Sequence, residues 1–144
     1  MKKGVWAMQT LGKHYLIEIS GCAPHVLDDM EKIKTIMLEA ALKAKAEVKE
    51  AIFHRFNPFG ISGVVVISES HVAIHTWPEH GYAAVDIYTC GFEAEPLKAL
   101  EYVIENFGGK VVLSVLKRGI PSEGGNYTHS GSFCLEELED IKNA

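Results

Sequence analysis

A serine and a histidine stand close together in the most regular part of the sequence. Ser70 ends the short segment Ser68-Glu69-Ser70, and His75 follows it after four intervening residues. A serine hydroxyl can act as a nucleophile, and a histidine can accept or donate a proton near neutral pH. The packing of the two strands does not require a serine or a histidine at these positions. The pair therefore predicts a site that does chemistry.

Two predicted strands hold this bend. The apolar run 61–67 (ISGVVVI) has the composition of a buried strand, and residues 71–77 alternate as a half-buried strand does. The three residues between the runs have a hairpin-loop length, so we expect a tight turn carrying Ser70.

The rest of the chain predicts an α+β fold with the order β-α-β-β-β-β-α-β. Hairpin-length joints in the middle favour a two-layer sandwich, with a mostly antiparallel β-sheet and two helices on one face. The predicted strands are 14–19, 48–56, 61–67, 71–77, 82–89 and 110–116, and the predicted helices run from about 25 to 48 and from 93 to 107. A loop over 119–132 and a short terminal helix near 135–141 complete the prediction.

Size and composition indicate one domain, residues 1–144. The chain is 47% hydrophobic and 23% charged, as in ordinary globular proteins, and its apolar runs are too short to span a membrane. The net charge of −5 argues against a nucleic-acid partner and suits a cationic small molecule. No export signal is evident, and the irregularly spaced Cys22, Cys90 and Cys134 indicate free thiols, so we expect a cytoplasmic protein.

Alternation along the predicted strands gathers reactive side chains on one sheet face. If the helices cover the face that carries Val72 and Ile74, the opposite face or the strand ends receive His71, His75, Trp77, Asp86, Tyr88 and Cys90. A bare face with large aromatic residues normally has a partner, so we expect a homodimer to cover it.

Taken one by one, these residues have ordinary structural explanations. A strand histidine is usually structural, and a lone cysteine is by default a small buried hydrophobe. On a strand, His71 and His75 lie about 13 Å apart, too far to share an ion, so no metal site is predicted. The chain also lacks the nucleophile-elbow sequence of a Ser/His/Asp hydrolase. None of these explanations accounts for the cluster as a set.

Three blocks of the sequence resemble a known family. ISGVVVISESH at 61–71, HTWPE at 75–79 and DIYTCG at 86–91 closely resemble the short prokaryotic S-adenosylmethionine decarboxylases. The likeness runs from about LGKH at 11–14 to the last predicted strand and includes FHRF at 53–56, and it weakens after Lys117. These enzymes are pyruvoyl-dependent and serve polyamine (spermidine) synthesis.

The resemblance implies a proenzyme that cuts itself between Glu69 and Ser70. The Ser70 hydroxyl would attack the Glu69 carbonyl and give an ester. Elimination and hydrolysis would then leave a covalent pyruvoyl group at the start of the 70–144 fragment (the α chain). Residues 1–69 would form the β chain, and the homodimer would hold two of each. The pyruvoyl ketone would form a Schiff base with the substrate amine and accept the electrons left by decarboxylation.

The resemblance also implies a role for each matched residue. Ser62 would assist the acyl shift, His75 would remove the Ser70 Cα proton, and Cys90 would protonate the substrate carbon after CO₂ leaves. The substrate-binding residues would be Phe56 on the adenine, Trp77 along the pocket, Glu79 on the ribose hydroxyls, and Leu11.

Two other functions stay open at this point. A paralogous pyruvoyl-dependent arginine decarboxylase would use the same self-cleavage, although Glu79 favours a substrate with ribose hydroxyls. A catalytically inactive regulatory homologue is the second alternative. The presence of Ser62, Ser70, His75 and Cys90 counts against it.

Overall fold

The computed structural model describes residues 10–68, 70–90, 95–122, 124–129 and 134–135. The strands are β1 (Gly12–Ser20), β2 (Val48–Arg55), β3 (Ile61–Ile67), β4 (Ser70–Trp77), β5 (Tyr82–Cys90), β6 (Lys110–Pro121), β7 (Tyr127–His129) and β8 (Cys134–Leu135). The helices are α1 (Pro24–Leu27), α2 (Met30–Lys43) and α3 (Pro96–Phe107), and a 3₁₀ turn spans Pro78–His80.

The described strands form one antiparallel sheet. Its order is β2-β3-β4-β5-β1-β6-β7, and β8 also pairs with β6. The helices pack on one face of this sheet and share a single buried core with it. The predicted α+β sandwich, with its six strands and two long helices, is confirmed.

The core side of the sheet is built by alternation. Val72, Ile74, Val85 and Ile87 are at most 2% exposed and pack with Met37 of α2 and Leu100 of α3. The Thr76 hydroxyl, on the same side, accepts a hydrogen bond from the Ile61 N–H (2.9 Å) and donates to the Leu27 carbonyl (2.9 Å). This hydroxyl ties β3 and β4 to α1.

The first predicted helix was too long and is interrupted. Helix α1 ends at Leu27 with Asp28 as its C-cap. Asp29 caps α2, because its carboxylate accepts the Lys32 N–H at 3.1 Å. At the other end, Lys45 adopts a left-handed φ of 59°, so the helical pattern cannot continue to Val48.

The central hairpin is tighter than the sequence predicted. Ile67 pairs directly with Ser70, so the turn holds two residues and Ser70 is the first residue of β4. Ser70 thus keeps the strand parity, on the same side as Val72. Glu69 lies outside the described residues.

The prediction of a loop over residues 119–132 was wrong for part of this segment. Strand β6 continues to Pro121, and Tyr127–His129 pairs with it as β7. Gly119, at φ 71°, lies where the β6–β7 register shifts, so the glycine marks a bulge rather than the start of a loop. Leu135 belongs to β8, and the rest of the predicted terminal helix lies outside the described residues.

Among the helices that the structure describes, none combines the length and the apolar character needed to cross a bilayer.

Candidate active site

The sheet face away from the helices carries His71, His75, Trp77, Asp86, Tyr88 and Cys90, as the alternation indicated. The pairing registers of β4 and β5 place His71 opposite Tyr88 and His75 opposite Ala84. Their core-side neighbours are buried, whereas Trp77 is 40% exposed and Phe56 48% exposed. Within the described residues no helix covers this face, so its aromatic side chains are available for contact with a ligand or a partner.

Ser62 and His75 form a hydrogen-bonded pair on this face. The two residues are paired in the β3–β4 register, and the Ser62 Oγ lies 2.7 Å from His75 Nδ1. Glycine follows Ser62, and Phe53 of β2 fills the space that a side chain at Gly63 would occupy. Sequence analysis singled out both residues, and the structure brings them together. A serine that is hydrogen-bonded to a histidine can orient the imidazole for proton transfer.

Aromatic side chains extend from this pair toward one end of the sheet. The Trp77 ring lies 6.4 Å from the His75 ring and 5.4 Å from the Tyr82 ring, centroid to centroid. The Tyr82 hydroxyl donates to Glu18, and this hydrogen bond is the main reason that the pKa of Tyr82 rises to about 12. Tyr82 therefore stays neutral beside Trp77. The exposed Glu79 follows in the 3₁₀ turn at the same end.

Asp28 fixes the loop that carries Phe56. Its carboxylate accepts the Gly60 N–H at 3.0 Å and an Arg55 N–H at 2.9 Å, and the Arg55 guanidinium also donates to the Asp28 carbonyl. The Gly60 hydrogen bond is the largest cause that lowers the pKa of Asp28 below its ordinary value, and Arg55 adds to it. Asp28 thus holds both ends of the loop, with Phe56 between them. We name this set, Asp28 with Arg55 and Gly60, the loop anchor.

Ser70 stands apart from the Ser62–His75 pair. Its Oγ is buried and makes no hydrogen bond with any described residue. His75 follows Ser70 by five positions along an extended strand, which places the two residues about 16 Å apart along β4. Within one chain, the structure does not bring the predicted nucleophile and the predicted base together.

Cys90 lies at the same end of the sheet as Ser70, because β4 begins where the antiparallel β5 ends. Its paired residue is Gly12 of β1. A Cβ atom built on Gly12 would lie 2.7 Å from the Tyr88 Cε1 and 3.0 Å from the Cys90 Sγ. The tyrosine ring and the thiol therefore converge over the Gly12 backbone, where only a glycine leaves room for both. Leu11, 50% exposed, immediately precedes this contact.

A charged cluster adjoins the Tyr88 ring on three neighbouring strands. The Asp86 Oδ1 lies 3.0 Å from His14 Nε2 and 2.6 Å from His71 Nε2. Burial alone would raise the pKa of Asp86, but the hydrogen bonds from His14 and His71 outweigh it and lower that pKa. Asp86 is therefore an anion held between two imidazoles. We name these three residues the Asp86 cluster.

Comparison with known proteins identifies the family. A family model described as S-adenosylmethionine decarboxylase matches residues 13–119, which include Ser62, Ser70, His75 and Cys90. The chain belongs to the S-adenosylmethionine decarboxylase family. The resemblance seen in the sequence is thereby confirmed, and the arginine-decarboxylase alternative is not favoured.

Relatives in this family match along most of their length. The chain is 51% identical over 137 residues to an S-adenosylmethionine decarboxylase proenzyme of Pyrococcus furiosus, covering 94% of this chain and 98% of that protein. It is 56% identical over 117 residues to a proenzyme of the same name from Pelotomaculum thermopropionicum, covering 81% and 93%.

Solved structures agree with this assignment. The crystal structure of the Aquifex aeolicus adenosylmethionine decarboxylase superposes with a TM-score of 0.75 at 35% identity, covering 82% of this chain and 98% of that one. A Trypanosoma brucei AdoMetDC monomer shares the fold, with a TM-score of 0.54 at 14% identity over 72% of this chain and 45% of that one.

Three features of this decarboxylase-family site escaped sequence reasoning. His14 was read only as a strand residue, although its alternation with Leu16 and Glu18 places it on the reactive face. Its contact with Asp86 joins residues 72 positions apart, and only the β1–β5 pairing reveals it. The loop anchor at Asp28 and the role of Gly12 were also missed, because both depend on long-range contacts.

Proposed function

We propose that this protein is a self-processing, pyruvoyl-dependent decarboxylase that converts S-adenosylmethionine to its decarboxylated aminopropyl donor and CO₂ for spermidine synthesis. One observation carries the proposal beyond family membership. The Ser70 hydroxyl lies buried and unpaired among the described residues at the tip of the central hairpin, where a serine that must give up its own amide would be.

The cleavage itself would follow from the two-residue turn. The Ser70 Oγ attacks the Glu69 carbonyl carbon, the Glu69–Ser70 amide bond breaks, and an ester forms with the Ser70 nitrogen freed as an amine. Removal of the Ser70 Cα proton expels the Glu69 carboxylate. Hydrolysis then releases ammonia and leaves the ketone. A turn this tight restricts the approach of hydroxyl to carbonyl, which favours the intramolecular attack.

The residues around Ser70 fit a pyruvoyl group. A ketone there would accept the electrons left by decarboxylation, which no amino-acid side chain does well. Cys90, at the same end of the sheet, would deliver the proton that the substrate α-carbon needs afterwards. Thiols suit that task, since their ordinary pKa of about 8.5 lies near neutral pH.

The separation of the site residues supports a homodimer of cleaved protomers. The open sheet face carries Ser62, His75, Trp77, Phe56 and Glu79 toward one end and Cys90 at the other. Ser70 lies at the Cys90 end of the sheet, on the same side as Val72. A two-fold partner stacked face to face and antiparallel would bring one protomer's Ser62–His75 pair to the end of the sheet at which the other protomer's β4 begins with Ser70. It would also cover the exposed aromatic residues. Each site would then hold residues of both protomers.

In that composite site, Phe56 would stack on the adenine, Trp77 would line the pocket, Glu79 would accept hydrogen bonds from the ribose hydroxyls, and Leu11 would contact the ligand. Aromatic faces also attract a sulfonium cation, by about 0.5–2 kcal/mol. The net charge of −5 fits a cationic substrate. The free thiols of Cys22 and Cys90 fit a reducing compartment, and we propose the cytoplasm.

Asp28→Ala should raise the KM for S-adenosylmethionine about threefold to tenfold and leave kcat nearly unchanged. The substitution removes the loop anchor, whose hydrogen bonds to a charged carboxylate are the stronger kind, so Phe56 would lose its fixed position. Steady-state kinetics measure the effect. Asp29→Ala is the matched control: it removes the neighbouring carboxylate and the α2 cap without touching the loop, and its KM should equal that of the parent. Equal KM values for both variants would contradict the anchoring role.

The proposed function is tested by intact-mass spectrometry together with CO₂ release. We expect two fragments, 1–69 and 70–144, the second with a ketone-bearing terminus that reacts with hydroxylamine, and CO₂ from S-adenosylmethionine but not from arginine. A single uncut polypeptide that never reacts with hydroxylamine would refute the proposal and favour an inactive homologue.

A further inference from the structure

Tyr88 is surrounded on the open sheet face by the Asp86 cluster and one arginine. Its ring centroid lies 5.1 Å from that of His14 and 6.0 Å from that of His71, and the Arg118 guanidinium carbon lies 4.9 Å from it. Asp86 pins both histidine rings through its Oδ1. The tyrosine ring is therefore held by groups that are themselves fixed.

The hydrogen bond from Arg118 indicates which ring nitrogen of His14 carries the proton. An Arg118 N–H donates to His14 Nδ1 at 3.3 Å, and arginine cannot accept a hydrogen bond. His14 must then carry its proton on Nε2, from which it donates to Asp86. This arrangement is a hydrogen-bonded chain from Arg118 through His14 to Asp86, with His71 as a second donor.

The same three residues could be taken for a metal site, since their ligand atoms lie within 4.8 Å of one another. The Arg118 contact argues against that interpretation. A histidine that binds a metal through Nε2 normally donates its Nδ1 proton to an acceptor, and here a cation donates to Nδ1 instead. The geometry therefore favours a hydrogen-bonded network.

Tyr88 meets Cys90 over Gly12. The tyrosine Cε1 and the cysteine Sγ would lie 2.7 and 3.0 Å from a Cβ at Gly12, so both approach the same point of the β1 backbone. Burial, and next the neighbouring Cys90 sulfur, raise the pKa of Tyr88, whereas the Arg118 charge lowers it. A neutral Tyr88 hydroxyl is the form that can donate to this sulfur.

We propose that Tyr88 is a positioning residue for the Cys90 thiol, with its ring fixed by the Asp86 cluster and Arg118. Its hydroxyl donates to the sulfur and stabilises the thiolate that remains once the S–H proton has passed to the substrate carbon. The inference rests on the proposed function of Cys90, but the contact itself is a property of the uncut chain.

The test measures Cys90 alkylation by iodoacetamide at neutral pH in the uncut Ser70→Ala background, with peptide mapping to separate Cys90 from Cys22 and Cys134. Adding Tyr88→Phe keeps the ring and removes the hydroxyl, and it should slow alkylation about tenfold, as expected for one lost hydrogen bond to a charged group. Adding Asp86→Asn should slow it as well, by a smaller factor, because the ring loses its support. Tyr102→Phe is the control: it removes a hydroxyl that is bonded to Glu39 on the helix layer, and the rate should not change.

Cys90 alkylation at the parental rate in Tyr88→Phe would overturn the proposal, and a parental rate in Asp86→Asn alone would remove the cluster from it. If the protein bound added zinc chloride stoichiometrically and the Asp86→Asn variant did not, the Asp86 cluster would be a metal site and not a hydrogen-bonded network. Decarboxylation by Cys90→Ala tests the proposed function separately: normal turnover there would remove Cys90 from its role and leave the alkylation result intact.

Discussion

Ser70→Ala should leave the chain whole, without a ketone and without decarboxylase activity. The substitution removes the only atom that can attack the Glu69 carbonyl in the proposed step, and without that oxygen no ester forms whose elimination could lead to the ketone. Denaturing gels and intact mass would show one species of full length. Because the Ser70 Oγ makes no hydrogen bond with a described residue, its loss should not unfold the protein.

Ser68→Ala is the matched control for this result. Ser68 lies in the same turn, and its backbone and hydroxyl contact Glu47 (2.9 and 3.5 Å), but it is not on the scissile bond. This variant should cut itself and turn over substrate. Two fragments from Ser70→Ala, or an uncut Ser68→Ala, would place the cleavage elsewhere.

Two inactive variants should restore one another when they are produced together. Alone, neither Ser70→Ala nor His75→Ala should cut itself. In a mixed dimer, one site would combine Ser70 of the His75→Ala chain with the Ser62–His75 pair of the other chain. Random mixing gives mixed dimers in about half of the population with one intact site each, so about a quarter of the parental activity is expected. Two different affinity tags allow the mixed dimers to be isolated and their cut chain identified by mass.

The control for this experiment pairs His75→Ala with Ser62→Ala. Ser62 and His75 belong to one hydrogen-bonded pair, so both sites of that mixed dimer contain a broken pair and no activity should return. If mixed dimers of Ser70→Ala and His75→Ala stay uncut, each Ser62–His75 pair acts on Ser70 of its own chain. That result would contradict the proposal of a composite site.

Periodicity predicted the fold well where the strands are regular. Residues 71–77 and 82–89 alternate cleanly, so their two faces and the placement of His75, Trp77 and Cys90 followed from sequence. The break at Asp28 and Asp29 was missed because an apolar stripe continues across it, and capping by Asp29 is a local hydrogen bond that competes with helix propensity. The composition of the tail predicted a loop from residue 119, but sheet pairing outweighs that composition.

The site was predictable in its parts and not in its arrangement. Ser62, Ser70, His75 and Cys90 were all named from sequence, and their proposed roles came from resemblance. Their division between two ends of the sheet depends on strand direction and register, which no single-strand pattern contains. The same limit hid the contact of Asp86 with His14 and the convergence of Tyr88 and Cys90 over Gly12.

The strand order has a consequence for the mature protein. A cut after residue 69 would assign β1, β2 and β3 to one polypeptide and β4 through β8 to the other, yet β1 lies between β5 and β6. The two products would therefore be interleaved within a single sheet, and neither could leave without breaking ladders on both sides of β1. Maturation would therefore yield the two polypeptides in a fixed one-to-one ratio, and they would not separate while the sheet stays folded. If the two polypeptides were synthesised separately, each would expose unpaired strand edges that the other covers in the intact sheet.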